Sequence, residues 1–563
     1  MQYQRLVDLY LALEKTTKRL EKTALVATFL KQVQKEDIID VVSLLQGHVF
    51  APWDERKVGF SSRLMLKAIH LASGTPVAKV EQSWSKKGDL GLVAAELIGK
   101  KSQATLIHHA LTVQKVIDNI RKLATLEGAG TVGRKIGLVG ELLTSSSSAE
   151  AKFIVRTVLE ELRVGIAAGI LRDSIAQATG ISVQEIEHCA DILADYGEVA
   201  KLAKDNKLKN VTLEPGRPMH MMLSILVNDV SQSFEELGKP AQFEYKLDGF
   251  RLQIHKNKDR IILFTRRMEN VTNQFPEVIT YVKTHINGDS FILDCEAVGV
   301  DPKTGRHQPF QNISQRIKRK YDIEQLAKKL PVEINVFDIM YYDGKSLMDT
   351  PLHERRALLE KIVEQAPLKI KLTEQLVTDA VKKAQAFYDE ALAKGNEGLM
   401  IKKIDAVYRP GRYVGGWCKL KPVLEPLDLV IVGASYGEGK RAATLSSYVI
   451  ACQDEDGNLL EVGRVSTGVK EKAAEGVTFD ELTKLLKPLI TETKGRDVMV
   501  NPEIVVEVAY EEVQKSPTYG SGYALRFPRF KRLRVDEKKA EDITTLADIE
   551  RIFQVQKGKK PAI

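Results

Sequence analysis

The sequence is poor in cysteine and has no long apolar run. Its four cysteines stand far apart, and neither they nor the ten histidines have the spacing of zinc ligands. We therefore expect a reduced, intracellular protein without a structural zinc site. No apolar stretch reaches the ~18 residues that cross a bilayer. The first residues also lack the apolar core of a secretion signal, so we expect a cytoplasmic protein with no membrane contact.

The rest of the composition is that of an ordinary globular protein. Of 563 residues, 44% are hydrophobic and 28% are charged, and this length suits roughly three to four domains. The net charge of +8 is compatible with a polyanionic partner such as nucleic acid. The basic excess is spread thinly along the chain, so a nucleic-acid surface has to come from the local arrangement of side chains.

The spacing of apolar residues changes twice along the chain. Residues 1–215 have them at helical spacing, which predicts an all-α domain that ends at Pro215 and Pro218. Residues 216–422 mix short β-rich runs with helical segments, which predicts an α+β domain. Residues 423–563 are mainly short strands separated by turns, with one helix, as in a small OB-fold β-barrel. We therefore expect a multidomain protein with these three parts.

A segment late in the helical part, residues 153–173, is rich in arginine and small residues. Arg156 and Arg163 are seven residues apart and share a helix face, and Gly165 and Gly169 permit close approach of another backbone. Arginines in such surroundings suit contacts to the phosphates of a duplex. In the alternative, which the charge pattern alone favours, they pair with Glu160, Glu161 or Asp173 on a solvated helix face.

The stretch EYKLDGFR, residues 244–251, is the most informative part of the chain. It places Lys246 at the end of a β-rich run, before a turn made by Asp248 and Gly249. A lysine amine at a pocket mouth, with Arg251 nearby, loses its proton more easily and becomes a nucleophile. The plain alternative is a surface hairpin, since so short a pattern also arises by chance.

Later segments hold residues that complement this lysine. Glu296 and Glu397 are carboxylates that can hold a hard divalent cation such as Mg²⁺. Lys419 and Lys421 are two apart on a strand, so they point the same way and can grip a phosphate. Phe337 can stack on a base. Taken singly, each residue also fits a strand end, a packed core or an exposed strand face.

In this order and spacing, the segments resemble the nucleotidyltransferase motifs of ATP-dependent DNA ligases. The resemblance rests on K-x-D-G-x-R at 246–251, Glu296, Phe337-Asp338, E-G-x-M-x-K at 397–402 and K-x-K at 419–421. Residues 153–173 are similar to the DNA-binding domain of archaeal and eukaryotic replicative ligases, and ALRFPRF at 524–530 to the last motif of their OB domain. The resemblance covers nearly the whole chain, and its length and layout are of the archaeal type.

The resemblance implies a role for each matching residue. Lys246 would be the catalytic residue, which receives AMP from ATP, and Glu296 and Glu397 would hold Mg²⁺. Other contacts to the nucleotide would come from Glu244 (adenine amino group), Glu296 (ribose), Phe337 (stacking), and Arg251, Arg266, Arg412, Lys419 and Lys421. Pyrophosphate would be oriented by Arg526, Arg529 and the basic run to Arg534.

The implied activity is the sealing of nicks in duplex DNA through lysine–AMP and DNA–adenylate intermediates, in replication, repair and recombination. An RNA ligase or capping-type nucleotidyltransferase shares the lysine motif, but the long helical region and Glu244 argue against it. A duplex-binding protein without catalysis is the other alternative, and the intact Lys246, Glu296, Glu397 and Lys419 argue against that. We expect a monomer that binds nicked duplex DNA.

The resemblance also implies a sliding clamp as a partner. Residues 103–108, QATLIH, form a degenerate clamp-binding segment without the paired aromatics, and an apolar helix face or turn explains them equally well. Two departures from the family pattern stand out. Cys295 takes the place of a glycine beside Glu296, and the last motif is one residue longer, so that its lysine would be Lys538.

Overall fold

The computed structural model describes residues 1–100, 110–317, 319, 321–411, 415–422, 424–438, 441–535 and 537–556. Arg412 and the segment 103–108, on which two of the sequence predictions depend, lie outside these residues. No helix among the described residues is both long and apolar enough to cross a membrane.

Helices fill the N-terminal region, as predicted. They are α1 Tyr3–Glu14, α2 Arg19–Gln32, α3 Ile38–Leu45, α4 Ser62–Ser73, α5 Val77–Lys87, α6 Leu90–Gly99, α7 Val113–Leu123, α8 Thr131–Thr144, α9 Ser148–Val158, α10 Ala168–Thr179, α11 Val183–Leu193 and α12 Tyr196–Lys204. Side chains cap several N-termini; at α9, Ser147 and Glu150 form a reciprocal capping box. Apolar faces of these helices share one core that extends from Tyr3 to Leu208.

The central region combines two β-sheets with helices. Its strands are β1 Ile225–Val227, β2 Ala241–Lys246, β3 Phe250–Asn257, β4 Arg260–Thr265, β5 Ser290–Val300, β6 His307–Gln308, β7 Val332–Tyr342, β8 Lys345–Ser346, β9 Ile370–Leu372, β10 Gln375–Thr378, β11 Gly398–Lys403 and β12 Trp417–Leu420. Its helices are α13 Val230–Leu237, α14 Pro276–His285, α15 Phe310–Ile317, α16 Ile323–Lys329, α17 Leu352–Ile362 and α18 Val381–Ala393.

These strands form two sheets, each covered by helices on one face. The first has the order β4-β3-β5-β7-β8, with β6 beside β5 and β9 beside β7, and the second has the order β1-β12-β11-β2-β10. Apolar side chains of the first sheet pack against α14 and α17, and those of the second against α13 and α18. The remaining faces of the sheets line a cleft between them, where the candidate site lies.

The C-terminal region is rich in strands, as predicted. It contains β13 Leu427–Tyr436, β14 Leu445–Gln453, β15 Leu459–Val465, α19 Phe479–Leu486, β16 Ile490–Lys494, β17 Asp497–Val500, β18 Val505–Ala509, β19 Glu512–Lys515, β20 Tyr523–Arg526, β21 Arg529–Leu533 and α20 Leu546–Val555. One sheet has the order β15-β14-β13-β17-β16 with β18 and β21 attached, and β19 and β20 form a separate hairpin. The order of a helical, an α+β and a strand-rich part confirms the expected fold class, and the boundaries after residues 215 and 422 remain predictions.

A connector, residues 217–222, joins the helical and central regions and contacts both. Its Arg217 donates to the carbonyl oxygen of Leu193 at 2.6 Å. On the other side, the carboxamide of Gln253 on β3 exchanges two hydrogen bonds with the backbone of Met219. The next inward residue on the same strand, His255, accepts from the amide of Gly216 through Nδ1 and contacts Gln253 Oε1 at 3.0 Å through Nε2. These bonds fix where the chain enters the central region.

The stability of this junction is expected to depend on pH through His255. Burial lowers the pKa of its imidazole to about 3, whereas the unfolded chain takes up a proton near pH 6.5. The stabilisation is therefore complete above about pH 6.5 and is lost as the pH falls toward 3, because protons then bind the unfolded chain preferentially. At pH 5 the loss amounts to about 2 kcal/mol.

His255→Gln, which keeps an acceptor and a donor, should flatten this dependence when denaturant midpoints at pH 7 and pH 5 are compared. His353→Gln, at an exposed position, serves as the control and should leave the dependence as in the wild type. Equal pH dependence in the wild type and His255→Gln would contradict the expectation.

Candidate active site

A cavity of about 680 Å³ lies in the cleft between the two central sheets and reaches the C-terminal region. Nine of the ten residues singled out from the sequence as catalytic or nucleotide-binding, or as metal ligands, line it: Glu244, Lys246, Arg251, Arg266, Glu296, Phe337, Glu397, Lys419 and Lys421. The tenth, Arg412, lies outside the described residues. Residues up to 177 positions apart in the sequence thus meet at one cavity, and their individual roles remain predictions.

Lys246 is the last residue of β2, at the strand end that the sequence predicts. The turn that follows brings Gly249 so close to β5 that an added Cβ would lie 2.3 Å from the carbonyl oxygen of Ala297. Glycine is therefore required here by close backbone approach rather than by a positive φ. The turn sends the chain straight into β3, which carries Arg251 to the opposite wall of the cavity.

Glu397 joins the lysines of the cavity into one charge network. Its carboxylate lies 2.6 Å from Lys246 Nζ and 3.0 Å from Lys421 Nζ. Burial alone would raise the pKa of this carboxyl, but the charges of the two lysines outweigh it and hold the pKa at about 2. Lys421 also lies 3.1 Å from Glu511, and Arg526 lies 3.9 Å from Glu397. The C-terminal region thus contributes charged groups of both signs to this end of the cavity.

The pKa of the other carboxyl group, Glu296, is shifted in the opposite direction. It stands on β5 directly across from Arg251 on β3. Burial raises its pKa to about 8, although the charges of Lys246 and Arg251 act in the other direction. The pKa values of the two carboxyl groups in this cavity thus lie on opposite sides of pH 7, and such strongly shifted pKa values are common at functional sites. Lys419 completes this wall, and burial together with Lys421 and Lys246 lowers its pKa.

Arg251 is held by a fully buried carboxylate, Asp294. Its Nε and Nη2 donate to the two oxygens of Asp294 at 2.8 and 2.6 Å, and its Nη1 donates to the carbonyl oxygen of Met222 at 2.7 Å. The hydroxyl of Tyr408 donates to Asp294 at 2.8 Å and accepts from the amide of Met222. The network therefore ties one wall of the cavity to the connector. Alternation along β5 puts Asp294 on the same face as Glu296, as expected for a regular strand.

Phe337 lines the cavity at a β-bulge of β7. Cys295 and Asp294 of β5 pair with Val336 and Asp338 of β7, so Phe337 is the extra residue between them. Val336 faces the core behind the sheet, and Phe337, the next residue, is directed into the cleft, as strand alternation requires. Directly after the bulge, Asp338 is fixed by two hydrogen bonds from Arg355, at 2.7 and 2.9 Å.

The end of the cavity beside Phe337 holds a buried acid–base pair. Lys402 Nζ lies 2.8 Å from both oxygens of Glu244, and both side chains are almost fully buried. The same ammonium group lies 4.6 Å from the ring centroids of Phe337 and Trp417. Gln242, behind Glu244 on β2, donates to it at 2.6 Å. This end is therefore aromatic, with one carboxylate and one ammonium side by side.

Sequence reasoning missed several residues of this site. Lys402 stands in the quoted motif at 397–402 but has no predicted role, and neither have Trp417, Asp294, Tyr408 and Gln242. Lys402 could have been found from the alternation along β11. It shares a strand face with Met400 in a run that is otherwise apolar, so a charged side chain there is unusual. The roles of Tyr408 and Asp294 can be recognised only once the register of β3 with β5 and the position of the connector are known.

The arginines of residues 153–173 pair with carboxylates, but only in part as the charge pattern predicts. Arg163 pairs with Glu161 and Arg172 with Asp173, whereas Arg156 has distant partners and, because α9 ends at Val158, does not share a helix face with Arg163. Arg156 is buried and bonded to Asp89 and Glu14. Arg172 lies 2.6 Å from Glu187. Arg163 contacts Asp89 and, at 3.7 Å, Glu438 of the C-terminal region.

The last motif is only partly at the cavity. Of its basic residues, Arg526 lines the cavity. Arg532 and Arg534 both pair with Glu507, and Lys538 pairs with Asp428 at 2.8 Å. In this arrangement these three cations contribute to the C-terminal region rather than to the described lining of the cavity.

Comparison with known proteins covers all three regions. Residues 221–421 match the family model of the ATP dependent DNA ligase domain, residues 2–176 that of the DNA ligase N terminus, and residues 441–537 that of the ATP dependent DNA ligase C terminal region. Proteins described as DNA ligase are similar over nearly their whole length. The one from Nanoarchaeum equitans is 46% identical (99% of each chain), that from Thermococcus onnurineus 42% (100% of this chain, 99% of the relative), and that from Archaeoglobus fulgidus 41% (97% of each).

Among solved structures, one named Pmar-Lig_PreS3 has a similar fold. Its TM-score is 0.59 at 18% sequence identity, and the match covers 94% of this chain and 99% of the other. At this identity the likeness concerns the fold alone.

Replacing Asp294 should destabilise the central region. Asp294→Asn keeps the shape but leaves the buried guanidinium of Arg251 without a counter-charge, and removing one partner of a buried pair costs about 3 kcal/mol. We expect the denaturant midpoint to fall accordingly. Asp405→Asn, at an exposed pair with Lys403 of 3.5 Å, is the control, with an expected effect of less than about 1 kcal/mol. Equal small effects of the two variants would show that the Arg251 pair is not buried as described.

Proposed function

This chain belongs to the ATP-dependent DNA ligase family, and from that membership we propose how its residues carry out the reaction. It is an enzyme that uses ATP and seals nicks in DNA; an RNA ligase, a capping enzyme or a non-catalytic binding protein is not favoured. One observation carries the assignment of residues: the nine described residues of the sequence motifs line a single cavity, with Lys246 beside Glu397 at 2.6 Å.

We propose that adenine lies at the aromatic end of the cavity. Phe337, which is directed into the cleft, stacks on the base. The carboxylate of Glu244 accepts from the exocyclic amine, and the ammonium group of Lys402 donates toward the ring nitrogen N1. A guanine would turn an oxygen toward the carboxylate and an N–H toward the ammonium, so both contacts would become repulsive. This pair therefore explains a preference for ATP over GTP.

The phosphates then lie at the lysine end. Lys246 Nζ attacks the α-phosphorus, a P–N bond forms, and the P–O bond to pyrophosphate breaks. The attacking amine has to be neutral, so its proton leaves before or during attack, and the pairing with Glu397 has to loosen. Lys419, Lys421 and Arg526 stabilise the negative charge on the phosphate oxygens, and Arg251 and Arg266 are further contacts to the nucleotide.

Glu296 and Glu397 fit a divalent cation, and we propose that they hold Mg²⁺. Two carboxylates without further protein ligands suit this ion, which keeps waters and substrate phosphates in its shell. The pKa of Glu296, raised to about 8 by burial, indicates a carboxylate that lacks sufficient positive charge near it. When bound, the ion supplies that charge and polarises the phosphate.

Two further transfers complete nick sealing. The AMP passes from Lys246 to the 5′-phosphate at the nick, which breaks the P–N bond and forms a pyrophosphate linkage. The 3′-hydroxyl then attacks this 5′-phosphate, the phosphodiester forms and AMP leaves. Positioning and charge neutralisation provide most of the catalysis in such steps.

Several broader features belong to the same proposal. The protein acts as a cytoplasmic monomer on nicked duplex DNA in replication, repair and recombination, with domains 1–215, 216–422 and 423–563. Contact with a sliding clamp remains part of the proposal. DNA affinity should fall steeply with salt, because binding to phosphates releases counterions.

The lysine intermediate can be tested directly by mass spectrometry of the protein incubated with ATP and Mg²⁺. The wild type should gain the mass of one AMP and lose it when nicked DNA is added, and Lys246→Ala should gain nothing. Lys394→Ala, at a partly exposed lysine that is paired with Glu390, is the matched control and should behave as the wild type. An unmodified wild type would contradict the assignment of Lys246.

The metal ligands can be tested by titrating Mg²⁺ while the rate of lysine adenylation is followed. Glu296→Gln should raise the Mg²⁺ concentration for half-maximal rate at least about tenfold, because one of the two oxygen ligands loses its charge. Glu511→Gln removes a carboxylate that lines the same cavity but is not assigned to the metal, and its midpoint should stay unchanged. Similar shifts in both variants would indicate a general charge effect instead of ligation.

A further inference from the structure

We propose that Gln242 is a positioning residue that sets base selectivity by holding the carboxylate of Glu244 in one orientation. The proposal rests on the proposed contact between Glu244 and the adenine amino group. Gln242 itself does not belong to the described lining of the cavity, so it acts through Glu244 and not through the nucleotide.

The hydrogen bonds around Glu244 are distributed unequally over its two oxygens. Oε1 accepts from Gln242 Nε2 at 2.6 Å and from Lys402 Nζ at 2.8 Å, whereas Oε2 accepts from Lys402 alone among these. A carboxylate oxygen has two acceptor positions. Gln242 therefore fills Oε1 and leaves the open position on Oε2.

Strand geometry makes this arrangement rigid. Gln242 and Glu244 are two apart on β2 and share a face, and Gln242 is paired directly with Lys402 on β11. All three side chains are at most 2% exposed. Because these side chains are buried and bonded to each other, they cannot easily change conformation. The open acceptor position on Glu244 therefore keeps one direction, toward the cavity.

A fixed acceptor discriminates between bases more strongly than a mobile one. An adenine amine meets the open position with a donor, whereas the 6-oxo group of hypoxanthine meets it with an acceptor and is repelled. Without Gln242, the carboxylate can turn so that Oε1 also offers an open position, or can move away from a 6-oxo group. The favourable contact to ATP then weakens, the repulsion of inosine triphosphate (ITP) weakens as well, and selectivity falls.

The test measures kcat/KM for lysine adenylation with ATP and with ITP. Gln242→Met keeps the side-chain length and removes the donor. We expect its ATP/ITP selectivity to fall about tenfold, mainly through a higher KM for ATP, as the loss of a hydrogen bond to a charged group predicts. Gln375→Met is the matched control: this residue on β10 is paired directly with Glu244 across the strands, but its amide contacts Glu360 instead of Glu244. Its selectivity should equal that of the wild type.

Glu244→Gln tests the contact of Glu244 with the base separately from the role of Gln242. If this variant keeps wild-type selectivity, the proposed contact of Glu244 with the base is wrong. If it loses selectivity while Gln242→Met keeps it, the contact stands and the role of Gln242 is overturned. A fall in both, with Gln375→Met unchanged, supports the proposal.

A second variant serves if Gln242→Met does not fold. In Gln242→Glu the new carboxyl and Glu244 share one proton at acidic and neutral pH, and the protonated group can still donate. Selectivity should therefore be close to wild type at low pH and fall as the pH rises and the proton is lost. A purely structural role predicts no such pH dependence of selectivity, and its absence would overturn the proposal.

Discussion

A buried carboxylate between two lysines determines the character of the whole site. Glu397 lies within 3.0 Å of Lys246 and Lys421, and in so enclosed a place unpaired charges of one sign would be costly. The carboxylate makes it possible to keep several cations together in the absence of a substrate. A triphosphate can then replace it as their counter-charge. The carboxylate that compensates these cations is thus also the group that pairs with Lys246, the proposed nucleophile.

The walls of this cavity are held by buried arginine–carboxylate pairs. Asp294 orients Arg251, and Arg355 orients Asp338 directly after the bulge at Phe337. Such pairs contribute little net stability but are strongly directional, because both hydrogen bonds have to form at once. Asp294 lies behind Arg251, and the Arg355–Asp338 pair lies behind Phe337, and both Arg251 and Phe337 have proposed contacts to the nucleotide. They therefore keep the cavity preformed rather than adding to its contacts.

The sequence predicts the general plan well and the detail unevenly. Apolar spacing and the two prolines indicate a helical part before mixed and strand-rich parts, and the turn at Asp248-Gly249 puts Lys246 at a strand end. Phe337 could be weighed equally as core and as site, because both faces of β7 are largely buried, so that apolar spacing does not distinguish the core from the cleft. Arg156 could not be assigned for a similar reason: its partner Asp89 is 67 residues away, and local charge patterns do not reveal such distant pairs.

The contact between Arg163 and Glu438 has a consequence for how the three regions enclose space. The helical region contacts the central one through the connector, the central one contacts the C-terminal one through Lys421 and Glu511, and Arg163 returns to the first. The three regions therefore contact one another in a closed ring. The contact that closes this ring, between Arg163 and Glu438, is an exposed ion pair at 3.7 Å, which contributes about 1 kcal/mol at most and weakens with salt. That amount is comparable to thermal energy, so this ion pair alone does not hold the helical region against the C-terminal region.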